Sequence, residues 1–430
     1  MGEIYQKGIS LIRKLISKGF FHVFLGNTLV KIVSMSSAIL LPRILGTENA
    51  YGMLSTVDNI NSYLILINGC GLANSVLRFC AMVDDKEQKT AVFNFCLKGG
   101  LLVDGVLVFL LLPLLVFSSF FSGGNYGAAK NYIAVASFIP MLTYVHEVLL
   151  LYMRANLLNK EYSKASVLFT LFYAGLQILC SYFWLLNGVY IGRYIALVLI
   201  ITICFFVLYR KERFSKVRYS LAKDEKKKIV LYGFGTMIGN AFSLMMPYNE
   251  TLVVNVVLQD LSATAYYKAA SMIPSNLQFI ATSVVIFVFP YFARHTKDWR
   301  WVRNKSISVL LGVLIIMLPI MIIGYILSPQ IILHIYGENY NPAIEIMKPM
   351  WIAFGINAII RIPLGNILAA LGELRFNNIL SVFICLIHLC LDFCFISSFG
   401  MRGAAYALMI SYTISSLCSI IYIFLRSGRG

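Results

Sequence analysis

Negative charge is what this chain has least of: 19 Asp and Glu stand against 36 Lys and Arg, and charged residues of both signs make up only 13%. Soluble domains carry about 25%, so a water-facing surface over most of the 430 residues is excluded. Nine cysteines are present, but none forms a CxxC pair. Cys390 and Cys394 lack the rest of a zinc ligand set, which leaves small-hydrophobe packing as their role. No Gly-rich phosphate loop ending in Gly-Lys-Ser/Thr occurs, so direct ATP hydrolysis is not expected. No small-residue cleavage site follows the basic start with Lys7, Arg13, Lys14 and Lys18. That start reads as a retained cytoplasmic amphipathic lead-in, not a signal peptide.

Apolar sequence fills the space that charge leaves. The chain is 59% hydrophobic with mean hydropathy +0.78, and a membrane crossing needs about 20 apolar residues. Stretches such as 101–117, 309–327 and 379–396 qualify. The expected fold is all-α and polytopic, with about 12 transmembrane helices. Basic residues concentrate in alternate connections: 78–92, 153–164, 210–229, 293–305 and 371–376. The opposite connections, near Thr47, Gly123, Asn187, Asp260, Gly337 and Phe399, are nearly free of them. The positive-inside rule then places both termini in the cytoplasm. The net charge of +17 is therefore a signature of topology; the run from Arg210 to Lys228 lacks the aromatic interleaving of a nucleic-acid surface, and no nucleic-acid partner is expected. Arg193 leaves the sixth span marginal, so eleven crossings stay open beside twelve.

The two halves resemble each other at an offset of about 212 residues. Asn125-Tyr126 recurs as Asn339-Tyr340, Pro113 answers to Pro319, and Gly188 and Tyr194 answer to Gly400 and Tyr406. An even number of spans per half makes the repeats parallel. The expected organisation is an N-terminal six-helix lobe (1–209), a basic cytoplasmic linker (210–229) and a C-terminal six-helix lobe (230–430), with a central cleft between the lobes.

Cations inside apolar spans cost about 2.5–3.5 kcal/mol on insertion scales and normally face a cavity or a partner. Lys31, Lys268 and Arg361 are such residues. Helical spacing puts polar groups on single faces: Asn27, Lys31 and Ser34; Asn240, Ser243, Pro247 and Glu250; Lys268, Ser271, Ser275, Gln278 and Thr282; Asn378, Ser381, Cys385, His388 and Asp392. Such stripes avoid lipid; interhelical hydrogen bonding is the plain alternative to a cavity for the Ser, Thr and Asn among them. His388 reads as a packing residue paired with Asp392, or as a proton relay. Lys98 and Arg193, near span ends, snorkel. Glu147 occupies nearly the position in its span that Arg361 has in its own, so a Glu147–Arg361 bridge between lobes stands beside a substrate role. Arg78 ends the second span at the cytoplasmic mouth.

The segment Pro42-Arg43-Ile44-Leu45-Gly46-Thr47-Glu48-Asn49-Ala50-Tyr51-Gly52 resembles the Arg-x-Leu-Gly…Tyr-Gly signature of the polysaccharide biosynthesis flippases. Gly69-Cys70-Gly71-Leu72 with Arg78, Tyr266-Tyr267-Lys268-Ala269-Ala270, Phe289-Pro290 and Ile335-Tyr336-Gly337-Glu338-Asn339-Tyr340 extend the resemblance over essentially the whole chain. The wider superfamily includes the multidrug and toxic compound exporters and the lipid II flippase. The resemblance implies a V-shaped, two-lobed fold with alternating access in a bacterial cytoplasmic membrane. The implied cargo is an undecaprenyl-diphosphate-linked oligosaccharide for O-antigen, capsule or exopolysaccharide assembly. Polymerase and chain-length proteins are the implied partners besides the bilayer, and no cofactor is implied. Substrate-binding candidates are Lys31, Arg361, Lys268, Arg78, Asn27, Asn240 and Ser271. Glu250 and Glu147 are candidates for ion coupling or charge pairing. A multidrug or cation exporter of the same fold is the alternative. A membrane glycosyl-transfer enzyme is disfavoured because the outer loops are short and lack paired carboxylates.

Overall fold

The computed structural model describes residues 20–111, 113, 123–211, 214, 219–295 and 298–428. Among them every regular element is helical, as expected where lipid leaves backbone groups no partner but the next turn. The basic lead-in before residue 20 lies outside the described residues.

In chain order the helices are α1 (Phe20–Leu45), α2 (Glu48–Leu66), α3 (Leu72–Ala81), α4 (Lys86–Val106), α5 (Gly124–Ala136), α6 (Ile139–Ala155), α7 (Asn159–Arg210), α8 (Lys223–Leu258), α9 (Leu261–Asn276), α10 (Phe279–Ala293), α11 (Trp299–Ile326), α12 (Ser328–Ile335), α13 (Ala343–Ile356), α14 (Ile362–Ala370), α15 (Leu374–Phe399) and α16 (Met401–Gly428). Among the described residues 7 stretches are long and apolar enough to cross a membrane, or 9 if the bent pairs α5–α6 and the two parts of α8 each count once. The chain is thus an all-α, multi-pass membrane protein.

The quoted sequence motifs turn out to be turn and contact chemistry. Gly46 takes φ +74, and Thr47 then caps α2 by accepting the Ala50 N–H at 3.3 Å. A Cβ on Gly52 would stand 1.9 Å from the Leu261 carbonyl oxygen, so α2 and α9 approach at backbone distance there. Gly69, Cys70 and Gly71 all have positive φ (52°, 48° and 71°) and break the helix between α2 and α3. Asp104 on α4 accepts the Gly69 N–H at 2.7 Å and so ties down the break.

Two turns are widened to the π form, Leu107–Leu111 and Asn357–Arg361. Each stands two residues before a proline, Pro113 and Pro363. A proline returns no N–H to the carbonyl four residues back, and the preceding turn takes up the slack. Such widened turns are frequent at functional positions.

The element α7 is not one rod. Trp184 (φ −126, ψ 15) and Leu185 (φ 49, ψ −128) leave helical geometry and fold it into an antiparallel hairpin, with Gly188 against the Cys180 carbonyl. The α15–α16 hairpin repeats this arrangement: Gly400 (φ 59, ψ −142) makes the turn, and Gly403 meets the Phe395 carbonyl. The backbone therefore pairs Leu185 with Gly400 and Gly188 with Gly403, three residues away from the sequence pairing of Gly188 with Gly400.

Contacts group the described residues into two compact units: residues up to Ile44 with Asn68–Val106 and Phe138–Phe234, and Leu45–Ile67 with Leu107–Ser137 and Gly235 onward. The first is organised around Tyr144, Tyr152 and Phe93, all nearly sealed from solvent. Tyr144 donates to the Cys96 carbonyl at 2.6 Å, and a Cβ on Gly100 would lie 2.0 Å from its ring. Phe214, from the linker, stacks on Tyr152 at 5.7 Å and tilts against Phe93 at 5.3 Å. The second is built on α13, whose Met347, Met350 and Trp351 are buried.

Candidate functional site

Polar side chains gather inside the second unit in three layers, contributed by α2, α5, α8, α9, α15, α16 and the π turn Asn357–Arg361. The first is a sealed amide–hydroxyl knot. Asn255 Oδ1 accepts from Thr56 Oγ1 (2.9 Å), Asn125 Nδ2 (2.8 Å) and Thr264 Oγ1 (2.8 Å). Asn59 Nδ2 donates to the Tyr248 carbonyl at 2.9 Å, and Tyr63 donates to Asn249 Oδ1 at 2.7 Å. With three donors on one oxygen, the knot fixes α2, α5, α8 and α9 to one another.

The second layer is acidic. Glu250, His388 and Asp392 have no solvent exposure. Tyr267 donates a hydrogen bond to Glu250 Oε2. His388 Nε2 lies 3.9 Å from Glu250 Oε1 and 3.5 Å from Asp392 Oδ2, while its Nδ1 is 3.4 Å from Ser411 Oγ. Glu250 Oε1, His388 Nε2 and both Asp392 oxygens have no hydrogen-bond partner among the described residues. Of the expected α15 stripe, Cys385, His388 and Asp392 are buried, Ser381 is half-buried and Asn378 is exposed.

The third layer is the cation Arg361, at the end of the second π turn. Its Nε donates to Ser415 Oγ (3.3 Å) and its Nη1 to Asn357 Oδ1 (3.3 Å); Nη2 approaches Met246 Sδ at 3.8 Å, and the guanidinium lies 5.3 Å from the Tyr412 ring centroid. Every one of these partners is neutral. Lys268, on α9, is half-buried, with Asp58 and Glu250 within electrostatic reach of its ammonium.

The other sequence candidates divide as follows. Ser271 is buried and its hydroxyl donates to the Lys268 carbonyl at 3.3 Å, one turn back on its own helix. Lys31 is exposed on α1, and Arg78 is exposed on α3, its guanidinium 4.4 Å from the Tyr232 ring centroid. Glu147 is half-buried on α6, in the first unit. The backbones of Asn27 and Asn240 are helical, but their side chains lie outside the described residues. Arg193 does not snorkel: it is 6% exposed, donates to Gln177 Oε1 at 3.0 Å and lies beside Tyr173 and Tyr190. Packing between the two arms of the α7 hairpin outweighs its reach toward the interface. Sequence reading missed Tyr267 as the donor to Glu250, although the Tyr-Tyr-Lys triplet was in view.

A family model described as polysaccharide biosynthesis protein matches residues 40–345. The chain belongs to that family. Among curated relatives of this polysaccharide biosynthesis protein is a putative O-antigen transporter of Shigella flexneri, 25% identical over 204 residues. That match covers 45% of this chain and 48% of the relative, so about half the relative's length is spanned. Among solved structures, the lipid II flippase MurJ in an inward closed conformation aligns with TM-score 0.77 at 16% identity, covering 94% of this chain and 87% of that one. An inward-facing MATE family multidrug resistance transporter of the MOP superfamily aligns with TM-score 0.76 at 13% identity, covering 93% and 95%. At these identities the likeness is one of fold, and this family member shares its fold with transporters.

Proposed function

We propose that this protein is a flippase that moves an undecaprenyl-diphosphate-linked oligosaccharide from the cytoplasmic to the outer leaflet by alternating access. The carrying observation is Arg361: a cation within the apolar sequence whose partners among the described residues are all neutral. A guanidinium held by neutral groups keeps its charge for an incoming anion, and its planar fork suits two phosphate oxygens. Lys268, within reach of Asp58 and Glu250, is proposed as the second cation, and Lys31 and Arg78 as further contacts along the route. The lipid tail stays in the bilayer while the head group crosses, so no sealed channel is required. The family assignment and the O-antigen transporter relative support the cargo class.

The test is complementation. In a strain lacking its repeat-unit flippase and supplied with the cognate repeat unit, the wild-type chain restores surface polysaccharide; Arg361→Ala restores less than about a tenth of it, a loss equivalent to roughly 1.4 kcal/mol. Full restoration by Arg361→Ala and Lys268→Ala together overturns the cationic-site reading. The buried Glu250 and Asp392 favour a second reading, a cation or drug exporter, for which expression raises resistance to cationic drugs and leaves surface polysaccharide unchanged.

A further inference from the structure

We infer that the first unit carries a binding site for one diacyl phospholipid with an anionic head group, in a cleft between α4 and the second arm of α7. The cleft has a volume of about 580 Å³, within the usual range of small-molecule sites. Thr90, Phe93, Asn94 and Leu97 line it from α4, and Thr202, Phe205, Phe206 and Tyr209 from α7. Each set steps by three, four and seven residues from its first member, so each is a single helix face. Two such faces would ordinarily close on each other. Here Phe214 stands between them, its ring 5.3 Å from Phe93 and 6.2 Å from Phe205, and the cleft stays open. A gap between apolar faces forfeits the dispersion contacts of its lining. Phe205, Phe206 and Tyr209 are exposed on a stretch apolar enough to cross a membrane, so acyl chains are what can restore those contacts.

The polar groups of the cleft select the head group. Arg210 ends α7, and its guanidinium lies 4.9 Å from the Phe206 ring centroid, which puts a cation at the mouth. The neighbouring Lys211 is 3.1 Å from Glu161; Arg210 has no ion pair among the described residues. Tyr209, also at the mouth, has an aromatic ring and a hydroxyl of the kind found at head-group depth. Further in, the Thr90 and Thr202 hydroxyls donate to the Lys86 and Val198 carbonyls of their own helices, each at 2.8 Å. The half-buried amide of Asn94 has no hydrogen-bond partner among the described residues. Its N–H groups suit an ester carbonyl.

Cation, phenol, amide and aromatic wall thus follow the order of phosphate, glycerol ester and acyl chain in a phospholipid. Basic pockets between membrane helices hold anionic lipid head groups on the cytoplasmic side, where the positive-inside rule places residues 210–229. A polyprenyl chain has no ester carbonyl to offer Asn94. The cations proposed for the cargo, Arg361 and Lys268, belong to the second unit, so this site does not depend on which cargo is moved.

The test uses the full chain, delipidated in detergent micelles and without cargo, titrated with phosphatidylglycerol or phosphatidylethanolamine and followed by native mass spectrometry and melting temperature. One phosphatidylglycerol per chain should bind saturably and raise the melting point, at least about tenfold more tightly than phosphatidylethanolamine. Arg210→Glu should weaken phosphatidylglycerol binding at least about tenfold and remove the preference. Asn94→Leu should weaken both lipids alike, and Thr202→Trp, which fills the cleft from an exposed position, should abolish stoichiometric binding. Should Asn94→Leu fail to fold, the two variants at exposed positions decide. Equal binding of the two lipids by the wild-type chain, wild-type affinity in folded Arg210→Glu or Thr202→Trp, or displacement of phosphatidylglycerol by an equal concentration of undecaprenyl phosphate would each overturn the assignment.

Discussion

Asn255 carries three donated hydrogen bonds on one buried oxygen, and that makes it more consequential for folding than any charged residue nearby. Asn255→Leu would remove the acceptor that Thr56, Asn125 and Thr264 share and leave them the local alternatives: the Gly52 and Asp260 carbonyls for the two threonines and the Thr264 hydroxyl for Asn125. An orphaned buried donor costs about 1–3 kcal/mol, so the expected loss is about 1–3 kcal/mol if two of the donors find new partners. A marked fall in the melting temperature checks it; an unchanged melting point refutes the role. Tyr267→Phe removes the donor to Glu250 at nearly constant volume, and a destabilisation of about 1–3 kcal/mol is expected by the same reasoning. Arg361→Lys separates charge from geometry. It retains the cation but loses the planar fork, so the surface-polysaccharide assay should place it between wild type and Arg361→Ala. Equality with wild type would mean that a point charge suffices.

Helices and their joints were legible in the sequence to different depths. Spacing alone found the buried part of the α15 stripe, Cys385, His388 and Asp392, but also counted Ser381 and Asn378, which are half-buried and exposed. The repeat was visible too, but its register at the hairpins was displaced by three residues. Sequence comparison matches glycine to glycine, whereas the backbone needs positive φ at Leu185 in one copy and at Gly400 in the other. Arg361 could be found as a misplaced cation; the π turn that carries it had its own mark in Pro363, two residues on, which the spacing argument did not use. Arg193 was misjudged because a hydropathy reading does not see the opposing helix of a hairpin. These joints carry their own prediction. Leu185 is 55% exposed and holds a conformation suited to glycine. Leu185→Gly should therefore relieve strain of about 1–3 kcal/mol, less the roughly 1 kcal/mol that glycine's freedom costs. A higher melting point for Leu185→Gly is the expected outcome, and a lower one would show that packing holds the turn.

Across the whole molecule the distribution of positive charge predicts an orientation in the membrane. Basic connections alternate with connections almost free of Lys and Arg, which the positive-inside rule reads as cytoplasmic and outer sides. Reporter fusions provide the check: alkaline phosphatase joined after Asn187 or Gly337 should be active, and joined after Lys211 or Arg300 inactive. The reverse pattern would invert the topology and with it the direction of transport proposed for the cargo.

The linker residue Phe214 has a bearing on how the chain can be divided. Its ring stacks on Tyr152 and meets Phe93 and Phe205 in the first unit, so the seam between the two sequence repeats is anchored on one side. Two co-expressed fragments should reassemble when the cut follows Phe214, at Tyr219 for example, and poorly when the cut precedes it at Lys211. The residues that join the two halves of the sequence are thus more than a tether: Phe214 closes one side of the aromatic cluster in the first unit.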